Sequence, residues 1–89
     1  MPRITLDFDG YTVFINHNDH PPPHFDVRGN GHHCRFAIAT GLAMDDSCAM
    51  PAATKNKIRE WTHHHRNELY VDWRRALRHQ GLYAITPPG

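Results

Sequence analysis

Apolar and polar residues alternate in two short runs near the start of the chain: Ile4, Leu6 and Phe8, then Tyr11, Val13 and Ile15, with Asp9-Gly10 between them. Alternation is the period of a half-buried strand, and Asp-Gly suits a two-residue type I′ turn, which needs positive φ at both central positions. These residues predict a β-hairpin. Further on, Phe25-Asp26-Val27-Arg28 can start another strand, and Gly29-Asn30-Gly31 supplies a turn whose residues tolerate positive φ. From His33 to Ala39 the pattern puts Cys34, Phe36 and Ile38 on one face and His33, Arg35, Ala37 and Ala39 on the other, as in a strand covered on one side. Thr40-Gly41 turns the chain, and Leu42 to Met44 can pair back briefly before Asp45-Asp46-Ser47.

After Pro51 the period changes. Proline costs nothing at a first helical turn, and Ala52-Ala53 follow as good helix formers. Ile58, Trp61, His65, Leu69, Trp73 and Ala76/Leu77 then recur at steps of three and four, the spacing of one helical face. A straight helix from Pro51 to His79 would be roughly 43 Å long at about 1.5 Å per residue. Size scaling gives a globule with a radius of gyration of about 12 Å, hence roughly 31 Å across. The helix is therefore expected to bend or to protrude, and two helices joined near His65 to Asn67 are favoured, with Asn67-Glu68 capping the second and Gly81 ending it. Leu82 to Gly89 is expected to add an edge strand or a packed arm. The expected class is α+β, a single domain over residues 1–89. A small antiparallel sheet of three or four strands is followed by two helices, or one kinked long helix, packed on one face.

Composition narrows the class. A chain of 89 residues buries only about two-thirds of its extended surface, so its core is modest and dimerisation would help it. No apolar run approaches the roughly 20 residues of a membrane span. The opening Met1-Pro2-Arg3-Ile4-Thr5-Leu6-Asp7 lacks the apolar region of a secretory signal, so a cytoplasmic location is the expectation. Cys34 and Cys48, without close spacing, are then expected to be thiols. Nine histidines, with a formal charge of +1 when all are neutral, make the protein sensitive to pH. Basic residues concentrate beyond Ala53, but they spread around the helix and match no nucleic-acid-binding signature, so that signal is weak.

The candidate chemistry lies in Asn18-Asp19-His20-Pro21-Pro22-Pro23-His24-Phe25-Asp26. Three prolines fix φ and remove donors, making a stiff loop that holds His20 and His24 apart. His20, His24 and Asp26 form a two-histidine, one-carboxylate set that suits zinc or non-haem iron. The same residues also fit a plain connector, its histidines solvated or bonded to loop carbonyls. His65 lies on the apolar stripe between Trp61 and Leu69, and its ring nitrogens need partners if buried; Asp19 or a loop carbonyl would serve. If His65 faces the loop, as helix phase allows, His20, His24, His65 and Asp19 would converge and give acid/base groups. Trp61 and Trp73 read as core anchors, and His63 and His64 as solvated.

Asp19-His20-Pro22-Pro23-His24-Phe25, followed by a β-hairpin and by Trp61, His65, Glu68-Leu69 and Trp73 in helical spacing, resembles the bacterial domain-of-unknown-function family 4160. Members share a D-H-x-P-P-H-F-H loop and a W-x3-H-x2-E-L-x3-W segment, and are often encoded beside another small protein in pairs resembling toxin-antitoxin modules. Asp26 stands where that family has a third histidine. The resemblance implies one component of a two-protein, toxin-antitoxin-like module acting through protein or nucleic-acid contacts, with a small cognate protein as partner. The alternative is a small metal- or histidine-dependent hydrolase, a ribonuclease among the candidates, with His20, His24 and His65 catalytic and His20, His24 and Asp26 on the metal.

Overall fold

The computed structural model describes residues 3–5, 7–17 and 20–88; Leu6, Asn18 and Asp19 of the readings above lie outside them. Three strands, β1 (Tyr11–Phe14), β2 (His24–Gly29) and β3 (His32–Ala37), form an antiparallel sheet in the order β1-β2-β3. Val13 pairs with Val27, which pairs with Cys34, and Phe25 pairs with Phe36. One helix follows, α1 (Ala52–Leu77).

Turn chemistry sets the hairpins. Phe8 and Tyr11 exchange backbone hydrogen bonds of 2.8 and 2.7 Å around Asp9 and Gly10, whose φ values of 49° and 83° make the expected type I′ turn. The segment before it is not a regular strand, however. Arg3 bridges Phe14 and Phe8 bridges Tyr11. Five residue steps on one side thus face three on the other, so the first segment bulges and no continuous ladder forms. The β2–β3 turn uses Asn30 and Gly31, also with positive φ. The two tips touch: Asn30 Nδ2 donates to Asp9 O at 2.9 Å, and a Cβ on Gly29 would lie 2.1 Å from Gly10 O.

Both edges of the sheet are covered. Ile4 N donates to Val13 O on the β1 side. On the β3 side the chain turns at Thr40-Gly41 and pairs back as expected, with Ala37 N donating to Leu42 O and Met44 N to Arg35 O. This return places Cys48 beside Cys34, and the two form a disulfide with a Cα–Cα distance of 5.7 Å. The expectation of two thiols is therefore corrected: a separation of 14 residues looked remote because it takes no account of the turn that closes it. Disulfides persist in oxidising compartments, so the bond contradicts a consequence drawn from the expected cytoplasmic location. No helix among the described residues is long and apolar enough to cross a membrane.

The helix is one element, not two. His65 has φ −119° and ψ 19°, outside helical values, and α1 kinks there. A straight helix of 26 residues would run about 39 Å at about 1.5 Å per residue, whereas the longest extent of the molecule is 33 Å. Bending keeps α1 on the globule, and its buried face carries Ile58, Trp61, Leu69, Trp73 and Ala76. Phe25 stacks on Phe36 at 5.8 Å and meets Trp61 edge-on at 5.5 Å, which fixes the helix on the sheet. Beyond α1 the tail forms a packed arm. Ile85 is buried, its N–H donates to Ile4 O at 2.8 Å, and Trp61 Nε1 donates to Thr86 O at 2.6 Å.

Candidate functional site

Phe25 and Val27 of β2 point into the core, so His24 and Asp26 take the other face, as period-two alternation requires. Asp26 is buried there, with 5 % of its side chain exposed, whereas 46 % of the His33 side chain is exposed. Asp26 Oδ2 accepts from Asn16 Nδ2 at 3.1 Å and lies 3.2 Å from His33 Nε2. Its Oδ1 lies 4.0 Å from His24 Nε2 and accepts no hydrogen bond among the described residues. His24 is buried as well, its Nδ1 2.8 Å from Pro22 O and its ring 5.3 Å from that of Trp73. Asn16, Asp26, His33, Arg35 and Asp45 line a cleft of ≈ 270 Å³. Asp45 Oδ1 accepts from Ser47 N at 3.0 Å and from Ser47 Oγ at 2.8 Å. Those bonds, with a smaller contribution from Arg35, hold its carboxyl below the usual range.

The sequence-predicted residues are divided among three places. His20 is exposed on the proline loop. His24 and Asp26 come together on the sheet, joined by His33, which strand alternation marks only as an outward residue. Among the described residues, no three His, Cys, Asp or Glu side chains are placed as a metal-ligand group, so His20, His24 and Asp26 do not assemble as one. His65 sits instead at the kink of α1. Its Nδ1 is 2.7 Å from Glu68 Oε1, and its ring lies 5.7 Å from that of Trp61. Glu68 thus fills the role expected of Asp19 or a loop carbonyl; an i, i+3 pair on a helix is within reach, and the spacing was visible in the sequence. His65 lines a groove of ≈ 560 Å³ between α1 and the arm, together with Trp61, His64, Thr86, Pro87 and Pro88. His63 and His64 are exposed, as expected.

Asp72 is a further buried carboxylate that periodicity did not single out. It is fully buried on α1, and its Oδ1 accepts from Tyr83 N at 2.8 Å, tying the arm to the helix. Its Oδ2 has no hydrogen-bond partner among the described residues. Burial pushes its pKa up, against the opposing effects of the Tyr83 amide and Arg75.

The sequence profile of the domain of unknown function DUF4160 matches residues 10–74. This chain belongs to the DUF4160 family. The match takes in all three strands of the DUF4160 protein, the proline loop, the Asp26 cleft and α1 as far as Arg74, while the arm lies beyond it. No curated protein and no solved structure matches the chain.

Proposed function

We propose that this DUF4160 protein is one component of a two-protein, toxin-antitoxin-like module and that it works by binding a protein partner. The observation that carries this reading is the apolar surface on the return segment after β3. Leu42 is 53 % exposed and Met44 41 % exposed, although neighbouring Phe36 is buried. Beside them lies a depression of ≈ 210 Å³, lined by Phe36, Ala43 and Ala52 and rimmed by Lys55 and Arg59. Large apolar side chains left in water next to a concave apolar surface are the usual centre of a protein contact. The disulfide holds this segment in place before any partner arrives, so little ordering cost falls on binding. Coexpression with a small protein encoded beside it, the partner that the family resemblance implies, should yield a stable complex. Leu42→Asp should weaken that complex at least tenfold, about 1.4 kcal/mol or more. A complex indifferent to Leu42→Asp, or none at all, would remove the proposal. RNA binding lost in the same variant would point to a nucleic-acid partner instead.

A histidine-dependent hydrolase is the second reading, favoured by the His65–Glu68 pair, whose histidine lines the groove of ≈ 560 Å³ between α1 and the arm. A carboxylate at Nδ1 orients the ring and leaves Nε2 for proton transfer, the arrangement of an acid/base histidine. Activity on RNA that disappears in His65→Ala and is reduced in Glu68→Gln, with stability retained, would support it. Equal activity in both variants would end it.

A further inference from the structure

The kink divides α1 into two runs with the same spacing. Before His65, Lys55, Arg59 and His63 follow at intervals of four residues, and after it Arg66, Tyr70 and Arg74 do the same, so each run shares a helical face. A bond joins the two runs across the kink: Arg66 Nη2 donates to His63 Nδ1 at 3.0 Å. The face so formed lies beside the segment that follows β3. Arg66 Nε donates to Ile38 O at 3.1 Å, and a Cβ on Gly41 would lie 3.1 Å from Arg59 Cα.

Charge is sorted across this helix. Its carboxylates are Glu60, Glu68 and Asp72. Glu60 lines the groove beside the arm, Glu68 is bonded to His65 of the same groove, and Asp72 is buried and accepts from Tyr83 N. The cations on that side are already engaged, Lys57 by Asp9 and Arg75 by Gly81 O and the Tyr83 ring. On the side of the return segment the cations have no anion. Arg59 and Arg74 are exposed, and their side chains make no hydrogen bond or ion pair among the described residues. Lys55 and Arg66 donate to the carbonyls of Cys48 and Ile38, which leaves their charge uncancelled. The depression beside Leu42 is rimmed by Lys55 and Arg59 and contains no carboxylate. Asp45, although next to Met44 in the chain, holds Ser47 and lines the Asp26 cleft on the other face of the sheet.

We propose that this basic face of α1, continuous with the exposed Leu42 and Met44, receives an acidic amphipathic segment of the protein partner. Apolar side chains of that segment enter the depression, and its carboxylates meet Arg59 and, further along the helix, Arg74. Guanidinium groups suit carboxylates, and unlike charges around an apolar contact speed association and exclude partners of the wrong sign. A nucleic acid would use the cations but leave the apolar depression without a role, so a protein segment is the better match. The proposal rests on the protein-contact reading above and adds the chemistry of the partner.

Fluorescence anisotropy with a labelled synthetic peptide, leucines at helical spacing and glutamates elsewhere, tests it. A peptide with lysine in place of every glutamate and a uridine oligonucleotide are the comparison probes. The glutamate peptide should bind saturably, and at least tenfold more weakly in about 0.5 M salt, where the screening length is roughly 4 Å. The lysine peptide should not bind. Arg59→Glu should weaken binding roughly tenfold and Arg74→Glu roughly threefold, both at exposed positions where the fold should persist. Arg59→Lys and, on the arm side, Glu60→Gln should each stay close to the parent. No saturable binding, an equal response to the lysine peptide, or full binding by Arg59→Glu would overturn the proposal. Tighter binding of the oligonucleotide, lost in Arg59→Glu, would overturn it in favour of a nucleic acid. A partner complex weakened by Leu42→Asp but not by Arg59→Glu would overturn the acidic segment and leave the protein-contact reading standing. A complex unaffected by Leu42→Asp, with the glutamate-peptide response intact, would do the reverse.

Discussion

Replacing Trp61 tests how the helix, the sheet and the arm are coupled. The indole is 5 % exposed, meets Phe25 edge-on, lies beside His65, and donates from Nε1 to Thr86 O. Trp61→Ala removes all four features and should cost about 3 to 5 kcal/mol, the range for truncating a large buried aromatic. Trp61→Phe keeps most of the packing against Phe25 but loses the bond to Thr86, so it should cost only about 1 to 2 kcal/mol. Urea unfolding followed by far-ultraviolet circular dichroism gives both values, and Trp73 remains as an independent fluorescent probe. Against a total stability of about 5 to 15 kcal/mol, the alanine variant could be marginal, and the phenylalanine variant keeps the test readable. Native-state hydrogen exchange adds a local measure. In Trp61→Phe the Tyr83 and Ile85 amides, which anchor the arm to Asp72 and Ile4, should exchange faster than those of β2. If Trp61→Ala costs less than about 1.5 kcal/mol, or if Trp61→Phe costs as much as Trp61→Ala, the indole is not the joint described here.

Asp72 has a folded pKa above its unfolded value of 3.8, so its contribution to stability is full below that value and is lost as pH rises through the raised folded value. Asp72→Asn cannot ionise, and its urea midpoint should gain on the parent between about pH 3 and about pH 7, whereas parallel profiles would contradict the burial argument. Reducing Cys34–Cys48 opens a closed loop of about 15 residues and should cost about 3 kcal/mol, or roughly 10 to 20 °C in Tm, as should Cys48→Ser; an unchanged Tm with both thiols titratable would refute this. Because the kink keeps α1 within the globule, sedimentation at high micromolar concentration should give a monomer, and a dimer would contradict this.

Much of the sheet was readable because its signals are local. Asp9-Gly10 and Asn30-Gly31 occupy backbone conformations that few other residues tolerate, and Cys34, Phe36 and Ile38 follow the two-residue alternation into the core. The helix face was readable for the same reason. What escaped the sequence depends on distance through space. The bulge that breaks the first strand comes from the offset between two bridges, and neither partner announces it. The disulfide needs the turn at Thr40-Gly41 to bring its ends together. At the site, His24 and Asp26 were chosen for their ligand chemistry and do lie side by side. The carboxylate, however, is shared with His33, a diagonal neighbour on β3, whereas its direct cross-strand partner is Arg35. His65 was noticed for its place on the stripe, but its partner is Glu68 in its own helix. Asp19 lies outside the described residues.

The covered sheet edges limit how this molecule can associate. A three-stranded sheet ordinarily offers two rows of free backbone groups on which foreign strands can extend it, the first step toward amyloid. Here the residues around Ile4 shield one row and Leu42 to Met44 the other. The second shield is short and is pinned at its far end by Cys48. Reducing conditions would let that segment peel away and uncover β3, so the thiol form should nucleate fibrils sooner than the oxidised form. Thioflavin fluorescence under gentle agitation, with and without reductant, would register the difference as a shortened lag.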